Sequence, residues 1–363
     1  MIKTAIIIVT YNSERYLDEL FASLAAHTDW ETTRLLVVDN ASSDGTRVAL
    51  LEQARAHPSI EVLPQASNLG FTGGNNVGLA RARQLGARYA CLLNPDTVVT
   101  PGWLATLEAV LDQRDDVGAA QPLLLLNDEP ELVNTAGNAI HFCGFGFCDN
   151  FRKRADELGL DGEPRAVPYA TGAALLLRMA ALDRVGDFDE LLFLYHEDCD
   201  LQIRLRQAGY ECVVVPAARV FHKYEEKFSP AKYRWLERNR WMVMIKDWPA
   251  DVLIAAAPAL AGVQAAVIVF AARSGWFGEL LRAHREVLAN LPALLAARRR
   301  VQNARSADAT DVAYFSGALQ FEGLDHPLIT RLANPALSAY WRAARRFLPS
   351  VRAADRARLA APR

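Results

Sequence analysis

Five short apolar runs alternate with helix-patterned stretches over the first 125 residues, and no other feature of this chain limits its fold as tightly. The runs are AIIIV (Ala5–Val9), RLLVVD (Arg34–Asp39), IEVLP (Ile60–Pro64), YACLLN (Tyr89–Asn94) and VGAAQPLLLL (Val117–Leu126). Helical patterns open near Ser13, Asp44, Gly73 and Gly102. Strand, helix, strand at this spacing predicts βαβ units and a mostly parallel central sheet, an α/β fold with functional residues at the carboxyl ends of the strands. A segment rich in Gly, Phe and Asn (Asn134–Asn150) breaks the alternation and reads as loops and hairpins. A strand in VPYATGAALLLRM, a helix opened by acids and a strand in YECVVVP follow. From Lys232 the chain reads as mostly helical, which predicts an α/β domain over 1–228 and a helical region over 229–363.

Composition narrows the classes. Of 363 residues, 51% are hydrophobic and 23% charged, a globular profile. A net charge of −2 carries no nucleic-acid signal, so no nucleic-acid partner is expected. Five cysteines without a framework spacing fit reduced thiols in a cytosol, and Cys143 and Cys148 lack the second pair a zinc site needs. The amino-terminal apolar run is too short for a signal peptide and reads as a buried strand. A cytoplasmic chain is expected.

Three polar constellations follow strands. Asp39 ends a buried strand and leads the turn Asn40–Gly45, where an acid faces the ligand crevice or caps the next helix. NLGFTGGNNVGLA (Asn68–Ala80) is neither a dinucleotide fingerprint nor a P-loop, and reads as a turn or as a close approach to a nucleotide. Asn94-Pro95-Asp96 places a carboxylate where it can hold a hard divalent cation or close an Asx turn. Farther on, Glu197, Asp198 and Asp200 crowd beside His196 at a helix start, where capping and general-base chemistry compete as explanations.

Taken in order, VTYN (Val9–Asn12), VVDNASSDGT (Val37–Thr46), NLGFTGGNNVGL (Asn68–Leu79), LLNPD (Leu92–Asp96), TGAALLLR (Thr171–Arg178), HEDCDLQIRLRQAGY (His196–Tyr210) and FHKY (Phe221–Tyr224) resemble the family 2 inverting glycosyltransferases of the GT-A fold. Within them the chain is most similar to bacterial rhamnosyltransferase-type enzymes of surface-polysaccharide synthesis. The resemblance implies a nucleotide-sugar donor, a saccharide acceptor carried on a lipid, and Mg²⁺ or Mn²⁺. Thr10, Asn12, Asp39, Asn68, Gly70 and Asn94 would border the donor. Asp96 would bind the metal, with His222 completing the site, and Asn94 stands where the family's metal motif often has another Asp. Asp198 would be the catalytic base, with Glu197, Thr171 and Gly172 on the acceptor side. Asp200 is expected to cap the helix and pair with Arg204, and crowding by the other acids is expected to raise the pKa of Asp198.

The carboxyl-terminal third matches the family only in helical, Arg-rich character. Val252–Ala272 holds 21 positions without a charge, and Pro258, Gly262 and Gln264 interrupt it, so one-sided packing competes with a membrane span. The next helix gathers Leu280, Leu281, His284, Val287, Leu288 and Leu291 on one face with arginines elsewhere, a pattern suited to a membrane surface or to packing on its own domain. Arg238 and Arg240 read as a cationic cluster for the phosphates of donor or acceptor. Alternatives are a UDP-hexose or galactofuranose donor, or a non-catalytic nucleotide-sugar-binding scaffold. No residue pattern specifies the oligomeric state, and a homo-oligomer stays open.

Overall fold

The computed structural model describes residues 2–225, 229–320 and 327–360. Contacts divide the chain into two units. The first takes the chain up to Asn138, then Cys148–Leu205 and Tyr210–Glu225. The second takes Ala139–Phe147, Arg206–Gly209 and the described residues from 229 onward.

In the first unit, alternation of side chains along buried strands builds a three-layer core. The strands are β1 (Thr4–Thr10), β2 (Thr33–Asp39), β3 (Ile60–Pro64), β4 (Tyr89–Leu93), β5 (Thr97–Val99), β6 (Val117–Leu126) and β7 (Val133–Thr135). The strands β8 (Asn138–His141) and β9 (Gly146–Cys148) come next in the chain and lie mostly in the second unit; the first unit continues with β10 (Arg165–Ala166), β11 (Ala174–Arg178) and β12 (Glu211–His222). The sheet runs β10-β12-β6-β11-β4-β1-β2-β3, with β5 paired to β12 and β7 to β6. The strands β3-β2-β1-β4 are parallel throughout, as are β6 and β12, while β11 runs antiparallel between β4 and β6. The helices are α1 (Glu14–His27), α2 (Thr46–Ala56), α3 (Gly70–Gln84), α4 (Trp103–Gln113), α5 (Met179–Val185) and α6 (Glu197–Gln207). Ile6 and Ile8 face one core with Leu20 and Leu24 of α1 and Leu107 of α4. Ile7, one residue out of phase, faces the other core with Leu79 of α3, Leu182 of α5 and Leu201 of α6.

The helix expected near Gly73 takes in most of the glycine-rich stretch. α3 begins at Gly70, three residues ahead of the expected start, and its glycines let it approach β1. A Cβ on Gly78 would lie 2.4 Å from Ile7 Cγ2, and one on Gly74 2.7 Å from Val9 Cγ1. Gly70 alone is a turn glycine, at φ +73°, and a Cβ there would meet the Phe193 carbonyl at 2.5 Å.

The second unit is helical: α7 (Pro230–Asp247), α8 (Ala250–Arg273), α9 (Phe277–Ala289), α10 (Leu291–Asn303), α11 (Asn334–Ala344) and α12 (Pro349–Ala360). Ser229 caps α7 by accepting from Lys232 N at 3.1 Å, and Pro230 occupies the first helical position. The short strand β13 (Phe315–Ser316) pairs with Ile140 and His141. Phe142 stacks on Trp341 at 4.8 Å, and Trp248 on Phe315 at 4.6 Å.

Arg238 and Arg240 do not form a phosphate-binding surface. Arg240 is buried and grips Glu237 through two 2.9 Å bonds, donating also to Cys143 O and Gln264 Oε1. Arg238 is buried over the Trp235 ring, with Nε 3.2 Å from Glu286. Burial alone would raise the Glu237 carboxyl, but the Arg240 charge and its hydrogen bonds bring it down to about 2. The apolar face expected on α9 is split: Leu280 and Val287 are buried, whereas Leu281 and Leu288 are exposed.

Candidate active site

Chain order reverses at β1, which has β2 on one side and β4 on the other, and a ligand crevice opens at the carboxyl ends of strands at such a switch point. The residues that follow these strands line it.

On the β1–β2 side, two loops are knitted together. Asn12, at φ 52°, accepts from Ser43 N at 2.8 Å, and its own N–H donates to Ser42 Oγ at 3.0 Å. Asp44 accepts from Glu14 N, the first residue of α1, while Glu14 accepts from Gly45 N just ahead of α2, so the two helix starts cap each other. Thr10 is fully buried, with its hydroxyl toward Val38 O at 3.4 Å. Asp39 is also buried, holding Arg47 Nε at 2.7 Å and Ser42 N at 3.1 Å. These residues, expected to border the donor, therefore already hold protein partners. Two contributors escape sequence reasoning. Tyr11, just past the end of β1, is 53% exposed. Asn40 accepts from Leu69 N at 3.1 Å and donates to Asn68 Oδ1 and Gly70 O, tying the 68–70 loop to β2.

Below β4, Asn94 N donates to Ala173 O at 2.8 Å, and Asp96 O accepts from Lys223 N at 2.9 Å. With His222 paired to Thr97 across β12 and β5, the ends of β4 and β12 meet. His222 Nε2 then lies 3.3 Å from Asp96 Oδ1, and Nδ1 faces Asn134 Oδ1 at 2.9 Å. With Asn134 Oδ1 as acceptor, Nδ1 carries the ring proton and Nε2 turns its lone pair toward an Asp96 oxygen that is buried without a hydrogen bond; this orientation follows from the assigned amide rotamer of Asn134. Two facing acceptors call for a proton or a cation between them. Among the described residues no cluster of three or more His, Cys, Asp or Glu side chains could hold a metal. A pair fits Mg²⁺ or Mn²⁺, which take few protein ligands and complete their shells with phosphate oxygens and water.

The acid cluster is presented by a strained approach. Phe193, Tyr195 and His196 all have positive φ, between 60° and 70°. The Phe193 carbonyl accepts from Phe71 N and Thr72 N in the first turn of α3. At α6, Asp198 accepts from Cys199 N at 2.7 Å and Gly172 N at 3.3 Å. Gln202 clasps Ala170 through both its N–H and its carbonyl, and Gln121 accepts from Thr171 N at 2.8 Å. Asp198 is half-buried; burial raises its carboxyl to about 6, against the pull of the backbone N–H groups. The direction is the expected one, but its leading cause is desolvation rather than crowding. Crowding acts on Glu197, where burial first and the Asp198 charge second push the carboxyl well above its usual range. Asp200 makes the pair with Arg204 that one helical turn allows. Its Oδ2 takes Nε and Nη2 of Arg204 at 3.0 and 2.9 Å, and that guanidinium also caps α5 through Val185, Gly186 and Asp187 carbonyls.

This is the plan of a GT-A α/β domain. The sequence model of the family described as "Glycosyltransferase like family 2" matches residues 3–243, and the chain belongs to that family as a glycosyltransferase. It is 29% identical over 234 residues to an N-acetylglucosaminyl-diphospho-decaprenol L-rhamnosyltransferase of Mycobacterium tuberculosis, spanning 60% of this chain and 75% of that one. It is 27% identical over 241 residues to the rhamnosyltransferase WbbL of Escherichia coli K12, spanning 63% and 88%. Among solved structures, the fold is similar to GalNAc-T7 with UDP, GalNAc and Mn²⁺ (TM-score 0.59, 17% identity, 72% of this chain and 51%, about half, of that one). It is also similar to the mannosyltransferase PcManGT of Pyrobaculum calidifontis with GDP-Man and Mn²⁺ (TM-score 0.51, 16% identity, 83% and 85%).

Proposed function

We propose that the chain is an inverting rhamnosyltransferase that moves rhamnose from dTDP-rhamnose to a lipid-linked saccharide at the cytoplasmic face of a membrane, in cell-surface polysaccharide synthesis. The observation that carries the reading is Asp198: a half-buried carboxylate with a pKa raised to about 6 that accepts from the backbone N–H groups of Cys199 and Gly172. Such a group is suited to accept a proton near neutral pH. The names of the mycobacterial and E. coli relatives support the donor sugar, and the mycobacterial name supports a lipid diphosphate acceptor.

Asp198 takes the proton from an acceptor hydroxyl as that oxygen bonds to the anomeric carbon. The carbon–oxygen bond to the nucleotide diphosphate breaks on the opposite side, and its electron pair leaves with the diphosphate. Glu197, Thr171 and Gly172 hold the acceptor side. Asp96 and His222 would hold Mg²⁺ or Mn²⁺, whose charge neutralises the departing diphosphate when bound. Asp39, Asn12, Asn68, Gly70 and Asn94 frame the donor, and the exposed face of Tyr11 offers the nucleobase a stacking surface.

Thermal-shift titration with dTDP-rhamnose, UDP-galactose, UDP-GlcNAc and GDP-mannose, with and without Mn²⁺ or Mg²⁺, tests the reading. A metal-dependent shift for dTDP-rhamnose followed by transfer to a lipid-linked acceptor supports it. A shift confined to a UDP-sugar replaces the donor, and no shift with any member of the panel sinks it.

A further inference from the structure

One helix of the second unit, between its charged ends, turns apolar side chains outward and its single polar one inward. α8 has one strongly polar side chain between Val252 and Ala272, Gln264, and the helix turns it inward to Arg240 Nη2 at 2.7 Å. There it joins Glu237 and His284, whose Nε2 lies 3.3 Å from Glu237 Oε1. The buried stripe of α8 is Val252, Ala256, Leu260 and Ala271. Every exposed position from Ile254 to Ala272 carries an apolar side chain or glycine. Ile254 is 75% exposed, Ile268 42% and Val269 49%. This outer face runs for about 27 Å at 1.5 Å per residue. A helix facing water shows the reverse pattern, polar outside and apolar inside. An ionisable cluster turned to the bundle interior beneath an apolar exterior is the arrangement that a hydrocarbon environment favours.

The charges around this face have one sign. Between residues 250 and 300 the exposed charged side chains are all arginines: Arg273, Arg282, Arg285, Arg299 and Arg300. The acids of the same stretch are half-buried and engaged, Asp251 with Ser350, Glu279 with Arg234, and Glu286 with Arg234 and Arg282. On α9, Phe277, Leu281 and Leu288 are exposed beside Arg282 and Arg285. A second copy meeting this face across a two-fold axis would bring like charges together. An anionic lipid surface answers both features, taking the apolar side chains below its headgroups and the arginines at them.

We infer that the outer faces of α8 and α9 seat the chain on the surface of a bilayer containing anionic phospholipid, with Ile254, Ile268, Val269, Leu281 and Leu288 entering the headgroup boundary. The inference rests on the reading that transfer occurs at a membrane, and on neither the sugar nor the base. Flotation with phosphatidylcholine vesicles, with and without 30 mol% phosphatidylglycerol (a composition chosen at roughly the anionic content of a bacterial membrane), tests it.

The full chain is expected to float with the anionic vesicles, to float less at high salt, and to float weakly with the neutral ones. Ile268→Glu with Val269→Glu should reduce anionic flotation at least tenfold while leaving the melting temperature and donor-nucleotide binding unchanged. Leu281→Glu alone, at a separate exposed position, should reduce it in the same direction. A wild-type chain that ignores anionic vesicles overturns the inference, as does a doubly substituted chain that is folded and floats as well as wild type. A concentration-dependent dimer abolished by the same two substitutions would assign the face to a second copy instead. Vesicle binding without sugar transfer would leave this surface standing and remove the enzymatic reading.

Discussion

The carboxylate of Asp198 accepts the backbone N–H of Gly172 at 3.3 Å, so the acid on α6 and the turn entering β11 are held as one piece. Gln202 and Gln121 fasten the same turn at Ala170 and Thr171. The proposed base is thereby placed by hydrogen bonds from three elements rather than by a flexible loop.

Asp198→Asn keeps an acceptor for Gly172 N but cannot take a proton. Turnover should fall by about 10²–10⁴-fold, with donor affinity little changed. In the wild type, kcat/KM should decline below pH 6 as the carboxyl, raised to about 6 from 3.8, protonates. Steady-state kinetics from pH 5 to 8 check both. A folded variant with wild-type turnover would remove the assignment.

The same shift has a consequence for stability. A carboxyl whose folded pKa is raised binds its proton more tightly in the fold, so ionisation costs stability as pH rises from 3.8 through about 6. Asp198→Asn should therefore be more stable than wild type at pH 8, by about 1–2 kcal/mol after allowance for partial exposure, and the difference should vanish near pH 3.5. Denaturant melts at the two pH values measure it.

Asn134 makes no contact expected with donor or acceptor, yet its carbonyl fixes the His222 ring at 2.9 Å. Asn134→Leu should weaken Mn²⁺-dependent nucleotide binding by about 10–100-fold without changing nucleotide binding in EDTA. Calorimetric titration with and without metal separates the two. Asp96→Ala should remove the metal dependence altogether.

Gly78→Ala adds one methyl group at a position where it meets Ile7 at 2.4 Å. Despite the better helix propensity of alanine, the variant should lose about 1–3 kcal/mol, because β1 and α3 cannot separate without disturbing both cores. Urea unfolding reads the loss. A gain in stability would mean that the glycines serve something other than packing.

Arg240→Ala distinguishes a buried partner of Glu237 from a phosphate ligand. It should destabilise the helical unit by about 3–5 kcal/mol, by stranding a carboxylate that is 4% exposed. Donor affinity measured on the folded fraction should not change.

The βαβ order was legible because it is local. Ile6, Ile7 and Ile8 announce a strand buried on both faces, and the positions of Asp39, Asp96 and Asp198 at element ends follow from where their apolar runs stop. Hydrophobic periodicity needs only neighbours in sequence to be read. The pairing of Asp200 with Arg204 was legible for the same reason, since one helical turn brings them together.

What only the tertiary structure decided concerns residues distant in sequence or alternatives equal in pattern. Nothing in the segment around Asn134 marks it as the residue that holds His222. The glycines of α3 read as a turn or as a close approach to a nucleotide until Ile7 and Val9 are seen to lie against them. The apolar residues of α9 share a sequence pattern, but its packing buries Leu280 and Val287 and leaves Leu281 and Leu288 outside. Arg240 and Gln264 are polar in sequence and interior in the fold, because each supplies the partner the other needs. Sequence determines which residues are apolar and how often they recur; long-range packing determines which of them meet, and therefore which polar groups are left to face a ligand.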